Sequence, residues 1–425
     1  MIFNISLLKK LNFLILLILP VFFILGKNLV NISVIILTFS CIILYFYKKV
    51  NPFSKTENIL FAILFIYIFV NSLVNYINFD NVLKSIALLR YIFFSTAIVY
   101  TIHNISSEQL KKIKYFYSFI IIFVIIDIVI QYFFGFDIFG FEPGMCDEGH
   151  CLRYQGPFGK ELIAGSFFAY FGLIIILFFF NGTILNLFFL LLGVAILITG
   201  DRSPFIAYLI FFTTYIIISK QKFIKKIVLI FIYLLIFFLV ISLLSSTKSR
   251  YLDFSKDISY SGIKRDESHN NIIDILKEAK DSPWGKHYQV AWAMFLDNPI
   301  NGHGYNSFKI KCKKYEEITN TNTGIYRGCS NHPHNAFLEI LAEQGLMGFI
   351  ILNVIIFYIL RKIFILPFKN QNIKIKFFLS GVLFLCFYFP LKPTGSLFSS
   401  WLGSITFFVY GFYLFFLDKN KSVNS

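Results

Sequence analysis

Long apolar segments recur along the chain from residue 11 to residue 417. They have the length that a helix needs to cross the hydrocarbon core of a bilayer, about 17 to 25 residues. Only 15% of the residues are charged, whereas soluble domains carry roughly 25%. The sequence therefore predicts an all-α polytopic membrane protein with about twelve transmembrane helices. We expect these helices at residues 11–26, 30–47, 57–76, 86–103, 115–134, 162–181, 183–199, 203–218, 226–245, 335–360, 376–391 and 397–417.

Basic residues mark every second connection between the predicted helices. The basic connections contain Lys9 and Lys10; Lys48, Lys49 and Lys55; Lys111, Lys112 and Lys114; Lys220, Lys222, Lys225 and Lys226; Arg361, Lys362, Lys369, Lys374 and Lys376; Lys419 and Lys421. The short connections between them hold little more than Lys27, Lys84 and Lys392. The positive-inside rule then places both termini in the cytoplasm. The formal net charge of +16 needs no nucleic acid as a partner.

This topology places two long segments outside the cytoplasm, residues 135–161 and 246–334. The predicted units are residues 1–245 with nine helices, the large loop 246–334, and residues 335–425 with three helices. Within the loop, residues 272–280 and 287–296 read as short amphipathic helices, and Asn298-Pro299 and Gly302 to Gly304 end the second one. We expect the first apolar segment to be retained, because no small-residue cleavage site follows it. No internal repeat is evident, which counts against a secondary transporter.

Four of the six cysteines fall in the predicted extracytoplasmic segments. Cys146 and Cys151 lie in the first, and Cys312 and Cys329 lie in the second. An oxidising compartment favours disulfides, and pairing within each segment is the simplest connectivity. Four free thiols are less expected there. Cys41 and Cys386 lie inside apolar segments.

A histidine pair, His332 and His334, directly precedes the tenth predicted helix. Pro333 restrains the chain, and Asn335 is a favourable N-cap for the helix. A histidine at the mouth of the bundle is a suitable general base for a hydroxyl nucleophile. Hydrogen bonding of His334 to the helix end is an equally good interpretation. A metal site is weaker, because no third ligand follows at a characteristic spacing, and we expect no metal or cofactor.

Two glutamates, Glu339 and Glu343, lie four residues apart and hence on one face of the same predicted helix. The helix dipole favours acidic residues in the first turn, which is sufficient to explain Glu339. Glu343 lies deeper, where a carboxylate could orient a base or an arginine.

Arg153 and Arg202 are expected at the same membrane surface as His334. Arg202 lies in a tight connection between two predicted helices, and Arg153 precedes another. Guanidinium groups make bidentate, permanently charged contacts to phosphate. Each arginine alone is better explained by snorkelling to headgroups, or by pairing of Arg202 with Asp201. Their position beside a titratable base favours a functional site, because such a cluster is costly at membrane level.

Other polar residues carry weaker signals. Arg90 lies in the fourth predicted helix, either as a phosphate ligand or as the partner of an acidic residue such as Asp127. Lys286, His287, His303 and Arg265 belong to the large loop, where a solvated surface is the ordinary explanation.

Four segments in order resemble the O-antigen ligase and polymerase superfamily. One is residues 328–348, which contains His334-Asn335, then Glu339 and a terminal Gly-Leu-Met-Gly. The others are residues 153–161 (Arg-x-x-Gly-Pro-Phe-Gly-x-Glu), residues 200–202 (Gly-Asp-Arg), and residues 292–304 followed by Cys312. The likeness spans residues 120–350, and about twelve helices with one large periplasmic loop agree with the family's architecture.

The resemblance implies a metal-independent, inverting glycosyltransferase acting at the periplasmic face of the bacterial inner membrane. The donor would be a glycan on undecaprenyl diphosphate, and the acceptor either the lipid A core (ligase) or a second lipid-linked glycan (polymerase). His334 would be the base, and Arg153 and Arg202 would hold the departing diphosphate. Family members often carry an arginine before the Trp of the large loop, where this chain has Lys286 and His287. The third cationic contact is therefore open, with Lys286 and Arg265 as candidates.

Two function classes compete with the ligase and polymerase. A flippase or transporter of lipid-linked oligosaccharides would also need cations in the bundle, but not a histidine at a loop-covered mouth. A sensor or structural membrane protein leaves the Arg and His residues without a role.

Overall fold

The computed structural model describes residues 4–147, 150–251, 282–319, 328–390 and 392–422. Arg265 and the helix predicted at 272–280 lie outside the described residues. The helices of the first part of the chain are α1 (Ile5–Leu25), α2 (Lys27–Phe46), α3 (Thr56–Val74), α4 (Phe79–Ile86), α5 (Arg90–Asn104) and α6 (Ser107–Phe134). A short 3-10 turn, Ala87–Leu89, joins α4 to α5.

A two-stranded antiparallel sheet, β1 (Gly144–Asp147) and β2 (His150–Arg153), follows α6 and pairs Cys146 with Cys151. The central helices are then α7 (Ala164–Phe179), which contains a π-helical turn, α8 (Gly182–Thr199), α9 (Arg202–Ile218), α10 (Phe223–Leu243) and α11 (Ser245–Tyr251). The last part of the chain forms α12 (Pro283–Asp297), α13 (Phe308–Lys311), a 3-10 helix Cys312–Thr319, α14 (Ala336–Ile365), α15 (Gln371–Leu385) and α16 (Ser400–Ser422).

The prediction of an all-α polytopic membrane protein is confirmed. Within the described ranges, nine helices are long and apolar enough to cross a membrane, and α7 and α9 are two shorter apolar helices. Each predicted transmembrane segment overlaps a helix of the structure, although the number of crossings stays a prediction. The loop helix expected at 287–296 is also confirmed, as α12.

The main core runs through the helical bundle, and α16 lies at its centre. Its aromatic residues pack against α5 and α15; for example, Tyr413 stacks on Phe377 with ring centroids 5.0 Å apart. In contrast, only Tyr233 and Phe237 are buried in α10, so most of this helix presents apolar side chains outward. That is the surface expected of a helix that faces lipid.

A second, smaller core lies in the large loop and includes one residue of α14. It contains Val290, Ala291, Met294, Phe308, Cys312, Tyr315 and Ala342. The loop is therefore a packed unit that rests on the first turns of α14. The boundary predicted at residue 334 is not tested by this packing.

Helix α14 is broken at Gly345, which the sequence prediction of one continuous helix did not include. Gly345 has φ 63° and ψ −166°, a conformation that is open essentially only to glycine. The loop segment 299–304 fills the break. The N–H of Leu346 donates to the carbonyl of Pro299 at 2.8 Å, and the N–H of Gly304 donates to the carbonyl of Glu343 at 2.8 Å. These bonds pair backbone groups that the break leaves free.

Candidate active site

Arg153, which is partly exposed, and the buried Asp201 form an ion pair between two distant parts of the chain. Arg153 ends β2, and Asp201 precedes α9. The Nη2 of Arg153 also donates to the carbonyl of Leu162 at 3.3 Å, and Asp201 accepts the N–H of Gly165 at 2.9 Å. Asp201 thus pairs with Arg153, whereas the sequence interpretation had weighed a pairing with Arg202.

Arg202 is held by the backbone at the end of α11. Its Nε donates to the carbonyl of Arg250 at 2.9 Å, and its Nη2 donates to the same oxygen. The Nε of Arg250 in turn donates to the carbonyl of Gly200 at 3.1 Å. Arg153, Arg202 and Arg250 all act electrostatically on the hydroxyl of Tyr251. We call these three residues the arginine cluster.

Arg250 was missed by the sequence analysis. Its position could have indicated it, because Arg250, like Arg153 and Arg202, lies next to an apolar helix on the predicted extracytoplasmic side. Burial raises the pKa of Tyr251, and the three guanidinium groups oppose this shift. The guanidinium groups oppose it because their positive charge stabilises the ionised, negatively charged form of the tyrosine.

Gly200 allows the parts of the cluster to approach each other. It has φ 70°, and a Cβ at this position would lie 2.2 Å from the carbonyl oxygen of Leu152. The N–H of Tyr154 donates to the carbonyl of Thr199 at 3.3 Å. A side chain at residue 200 would separate β2 from the start of α9, and with them Arg153 from Asp201.

His334 lies directly before α14, at the mouth of the bundle. Asn335 is the N-cap, as predicted, and its Oδ1 accepts the N–H groups of Phe337 and Leu338 at 3.0 and 3.1 Å. Its amide donates to the carbonyl of Pro390 at 2.6 Å. His334 itself has φ 56°, an uncommon conformation for a residue with a side chain.

Two further histidines and a tryptophan surround this position. The ring centroid of His334 lies 4.0 Å from that of His332, 5.2 Å from that of His287 and 4.5 Å from that of Trp284. The Nδ1–H of His287 donates to the carbonyl of Gly328 at 2.8 Å, which leaves its Nε2 as an acceptor. In the described residues, no group of three or more His, Cys, Asp or Glu side chains is placed to hold a metal ion.

Lys286, His287 and His303 are buried, so the solvated surface expected for them is wrong. Lys286 and His287 belong to α12, which packs on α14, and the N–H of His303 donates to the carbonyl of Ala342 in α14 at 3.1 Å. The Nε2–H of His303 donates to the carbonyl of Met294 at 2.9 Å, and the same nitrogen lies 3.6 Å from Oδ2 of Asp297. Of these residues, His287 contacts His334 directly.

Burial keeps His334 in its neutral form. It lowers the pKa of His334 from 6.5 to about 3, with smaller contributions in the same direction from His332 and His287. Burial, followed by the proximity of His287, lowers the pKa of His332 to about 4. Both rings are therefore uncharged at neutral pH, and a neutral imidazole can accept a proton.

A short loop, described at residues 389–390 and 392–399, bonds both to the start of α9 and to the backbone of His334. The hydroxyl of Ser203, next to Arg202, donates to the carbonyl of Pro393 at 2.5 Å. The N–H of Thr394 donates to the carbonyl of His334 at 2.9 Å. In the same loop, Lys392 is buried and donates to the hydroxyl of Tyr170, and burial lowers the pKa of Lys392 to about 8. We call these residues the linking loop.

Glu339 and Glu343 hold backbone segments around the site. Glu339 accepts the hydroxyl of Ser396 at 2.5 Å and the N–H of Leu397 at 3.1 Å, both in the linking loop. Glu343 accepts the N–H groups of Asn306 and Phe308 at 2.8 and 3.2 Å. Glu343 was expected to orient a base or an arginine, and it instead fixes the turn that leads into α13.

Arg90 and Asp127 make separate contacts. The guanidinium of Arg90 lies over the ring of Tyr91, 4.9 Å from its centroid. The carboxylate of Asp127 accepts the N–H of Ile138 at 2.8 Å. The pairing of Arg90 with Asp127 considered from sequence is therefore wrong.

Both expected cysteine pairs are bonded in the structure, Cys146 with Cys151 and Cys312 with Cys329. The first link closes the hairpin that ends at Arg153, and the second ties the 3-10 helix after α13 to the segment before His334. Cys41 and Cys386 are free and buried.

A comparison with protein families agrees with this geometry. Residues 187–352 match a family model described as O-antigen ligase. The matched region includes Arg202, Arg250, the described part of the large loop and His334, whereas Arg153 lies before it. The match supports the superfamily indicated by the sequence motifs. No curated protein matches the chain.

Proposed function

We propose that this multi-pass membrane protein of the O-antigen ligase superfamily transfers a glycan from undecaprenyl diphosphate to a sugar hydroxyl of the lipid A core. The reaction would take place on the periplasmic face of the bacterial inner membrane. Lipid-linked glycans are the general substrate class of the family. Beyond this class, we propose the undecaprenyl diphosphate donor, the lipid A core acceptor and the periplasmic side.

One observation supports the proposal above all others: the linking loop bonds both to Ser203, the neighbour of Arg202, and to the backbone of His334. Pro393 accepts from Ser203 at the start of α9, and Thr394 donates to His334. The proposed base and the proposed phosphate site would then lie on the two sides of one short loop. A transporter has no need of a neutral histidine held at such a place.

The arginine cluster suits a diphosphate. Its three guanidinium groups and the carboxylate of Asp201 leave a net positive charge. A diphosphate diester carries one negative charge on each phosphate, and fixed cations stabilise it as a leaving group without a change in their own protonation. Arg153, Arg202 and Arg250 would bind these oxygens.

The proposed step is a single displacement. The acceptor hydroxyl oxygen forms a bond to the anomeric carbon while the bond from that carbon to the diphosphate oxygen breaks. The electron pair leaves with the diphosphate, and the hydroxyl proton moves to the neutral imidazole of His334. Attack from the face opposite the leaving group inverts the anomeric configuration. The negative diphosphate nearby favours the imidazolium that forms.

The test is a reconstituted assay with purified protein, lipid-linked donor and lipid A core acceptor. His334→Ala should reduce turnover by about 10²-fold or more, within the usual range for a general base, while donor binding is kept. Arg202→Ala should weaken donor binding as well as turnover, and Arg202→Lys should restore only part of both, because an ammonium lacks the bidentate fork.

Two outcomes would refute the proposed chemistry. Near-normal transfer by folded His334→Ala protein excludes this residue as the base. Strict dependence on an added divalent cation, measured as loss of activity in EDTA and recovery with metal, would return His332 and His334 to a metal-site interpretation. We expect activity to survive EDTA.

A polymerase that joins lipid-linked repeat units is the second candidate, because it shares the donor and the proposed base. The two differ in what a gene deletion leaves behind. Loss of a ligase should leave lipid-linked polymer that never reaches lipid A. Loss of a polymerase should leave single repeat units attached to lipid A.

A further inference from the structure

The last two residues of α6 and the compact turn that follows them expose an unusual number of large apolar side chains. Six of them in residues 133–141 are between 42% and 70% exposed: Phe133, Phe134, Phe136, Ile138, Phe139 and Phe141. We call this segment the aromatic turn. A surface of this kind in water would be a site for a partner or for aggregation, and it lies in a predicted extracytoplasmic segment of the chain.

Buried polar residues of α6 hold the aromatic turn back against the helix. The carboxylate of Asp127 accepts the N–H of Ile138 at 2.8 Å, and the amide of Gln131 donates to the carbonyl of Phe141 at 2.9 Å. Asp127 lies seven residues before the end of α6 at Phe134, or about 10 Å along the helix axis. The aromatic turn therefore descends beside α6 toward the membrane.

The turn is also internally rigid. Asp137 accepts the N–H groups of Phe139 and Phe141 at 2.9 and 2.6 Å, and the N–H of Asp137 donates to the carbonyl of Phe141 at 3.0 Å. Gly135 and Gly140 have φ 77° and 82°, a left-handed backbone conformation that glycine adopts readily and that lets the chain change direction. The exposed rings are thus presented by a preformed surface.

The same residues connect the aromatic turn to the arginine cluster. The carbonyl oxygen of the Gln131 side chain accepts the N–H of Gly156 at 2.9 Å, in the segment that follows Arg153. A Cβ at Gly159 would lie 3.5 Å from the ring of Phe141. Arg153 itself donates to the carbonyl of Leu162, and Leu162 is another exposed apolar side chain. The cationic group and the apolar surface belong to one structural unit.

We propose that the aromatic turn binds the first isoprene units of the polyprenyl chain of the lipid-linked substrate. This inference rests on the proposed function, because it takes the arginine cluster as the diphosphate site. In such a substrate the apolar chain begins at the diphosphate, so it must leave that site across adjacent protein surface. The aromatic turn is adjacent, apolar, and directed toward the membrane, where the rest of the chain lies.

Ordinary phospholipid acyl chains are the competing occupant. Aromatic residues are enriched at membrane interfaces whether or not they bind a substrate. A competition experiment distinguishes the two occupants. Free polyprenyl diphosphate displaces a ligand from a specific site, whereas it does not displace bulk lipid.

The first experiment measures binding without glycan transfer. A polyprenyl diphosphate with a photoreactive group in its first isoprene units is cross-linked to the full-length protein in nanodiscs, and labelled peptides are mapped by mass spectrometry. We expect labelling at Phe136 and Phe139 that excess undecaprenyl diphosphate prevents. Labelling elsewhere, or labelling that excess undecaprenyl diphosphate does not reduce, would overturn the proposal.

The second experiment uses a double variant, Phe136→Ser with Phe139→Ser, and two donors with the same glycan, one on undecaprenyl and one on a short prenyl chain. We expect the preference of the wild type for the long donor, as a ratio of kcat/KM, to fall about tenfold or more through KM. Activity on the short donor should be kept. The matched control is Phe46→Ser with Phe223→Ser, since these are exposed aromatic residues at helix ends next to the Lys clusters.

An unchanged preference in the double variant would refute the assigned surface, as would an equal loss with both donors. If the wild type transfers the glycan from neither donor but the photolabel is still competed at the aromatic turn, the proposed reaction fails and the polyprenyl site stands. If transfer occurs and labelling is not competed, the site fails and the reaction stands.

Discussion

The backbone carbonyl of Arg250 accepts hydrogen bonds from the guanidinium of Arg202, with the Nε of Arg202 at 2.9 Å. The contact uses the main chain of residue 250, so the side chain of Arg250 can be changed while the oxygen that holds Arg202 remains. The two arginines can therefore be tested separately.

The first prediction concerns this side chain. Arg250→Gln should raise the KM for the lipid-linked donor by about tenfold or more, because a charged hydrogen bond to phosphate contributes about 1.5–3 kcal/mol. Arg250→Lys should recover part of the loss. The control is Lys248→Gln, which removes the same charge from an exposed position two residues earlier. Equal kinetics for the variants at 248 and 250 would exclude a contact of Arg250 with the donor.

The second prediction concerns pH. The pKa of His334 is lowered to about 3, mainly by burial, so the base remains neutral as the pH falls through the usual histidine range near 6.5. The acid limb of kcat/KM, which reports the free enzyme, should lie below pH 5. Because burial is the main cause, His332→Gln should leave this limb nearly in place. An acid limb near pH 6.5 in the wild type would contradict a buried neutral base.

The same shift predicts how stability changes with pH. A histidine in the unfolded chain takes up a proton near pH 6.5. In the folded protein, His332 remains neutral down to about pH 4 and His334 down to about pH 3. The folded state should therefore lose stability as the pH falls from 6.5 toward 4. Thermal unfolding in nanodiscs at several pH values measures this loss. His332→Gln should make the dependence shallower.

The third prediction concerns the break in α14. Gly345→Ala would place a Cβ 2.3 Å from the carbonyl oxygen of Ile300, in a backbone conformation that L side chains rarely adopt. We expect the free energy of unfolding to fall by about 1–3 kcal/mol, measured by thermal unfolding. The control is Gly395→Ala, whose Cβ would meet only the side chain of Leu402 at 3.6 Å. Equal stability of the two variants would mean that segment 299–304 does not depend on the break.

The fourth prediction concerns the disulfides. Non-reducing peptide mapping of freshly isolated membranes should recover Cys146 linked to Cys151 and Cys312 linked to Cys329. Blocking free thiols before lysis provides the control against oxidation during preparation, and Cys41 and Cys386 should then be the only labelled positions after denaturation. Free thiols at all four loop positions would refute both the links and the oxidising side.

The fifth prediction concerns topology. A single cysteine at position 270, on a background without the native thiols, should react with an impermeant reagent in cells whose inner membrane is intact. A cysteine at Ser54, which is exposed between predicted cytoplasmic lysines, should react only after the membrane is opened. The reverse pattern would refute the assigned sides and with them a periplasmic site.

Much of the fold follows from the sequence because a bilayer imposes a simple rule. Each apolar segment must form a helix that satisfies its own backbone hydrogen bonds, so the positions of the helices were predictable from the spacing of polar residues alone. The N-cap at Asn335 and the helix α12 were predictable for a similar reason, since both depend on neighbours in sequence. The roles of Glu343 and Gly345 were not, because their partners lie about forty residues away in the loop.

For the site, residue types alone indicated His334, Arg153 and Arg202, because few side chains suit a base or a phosphate contact at a membrane surface. Only the tertiary structure placed Arg250 beside Arg202, paired Arg153 with Asp201, and buried His287 against His334. These contacts join residues that lie 47 or 48 positions apart in the chain. A local pattern specifies helices and caps, whereas the packing of the helices decides which distant charges meet and how far burial shifts their protonation.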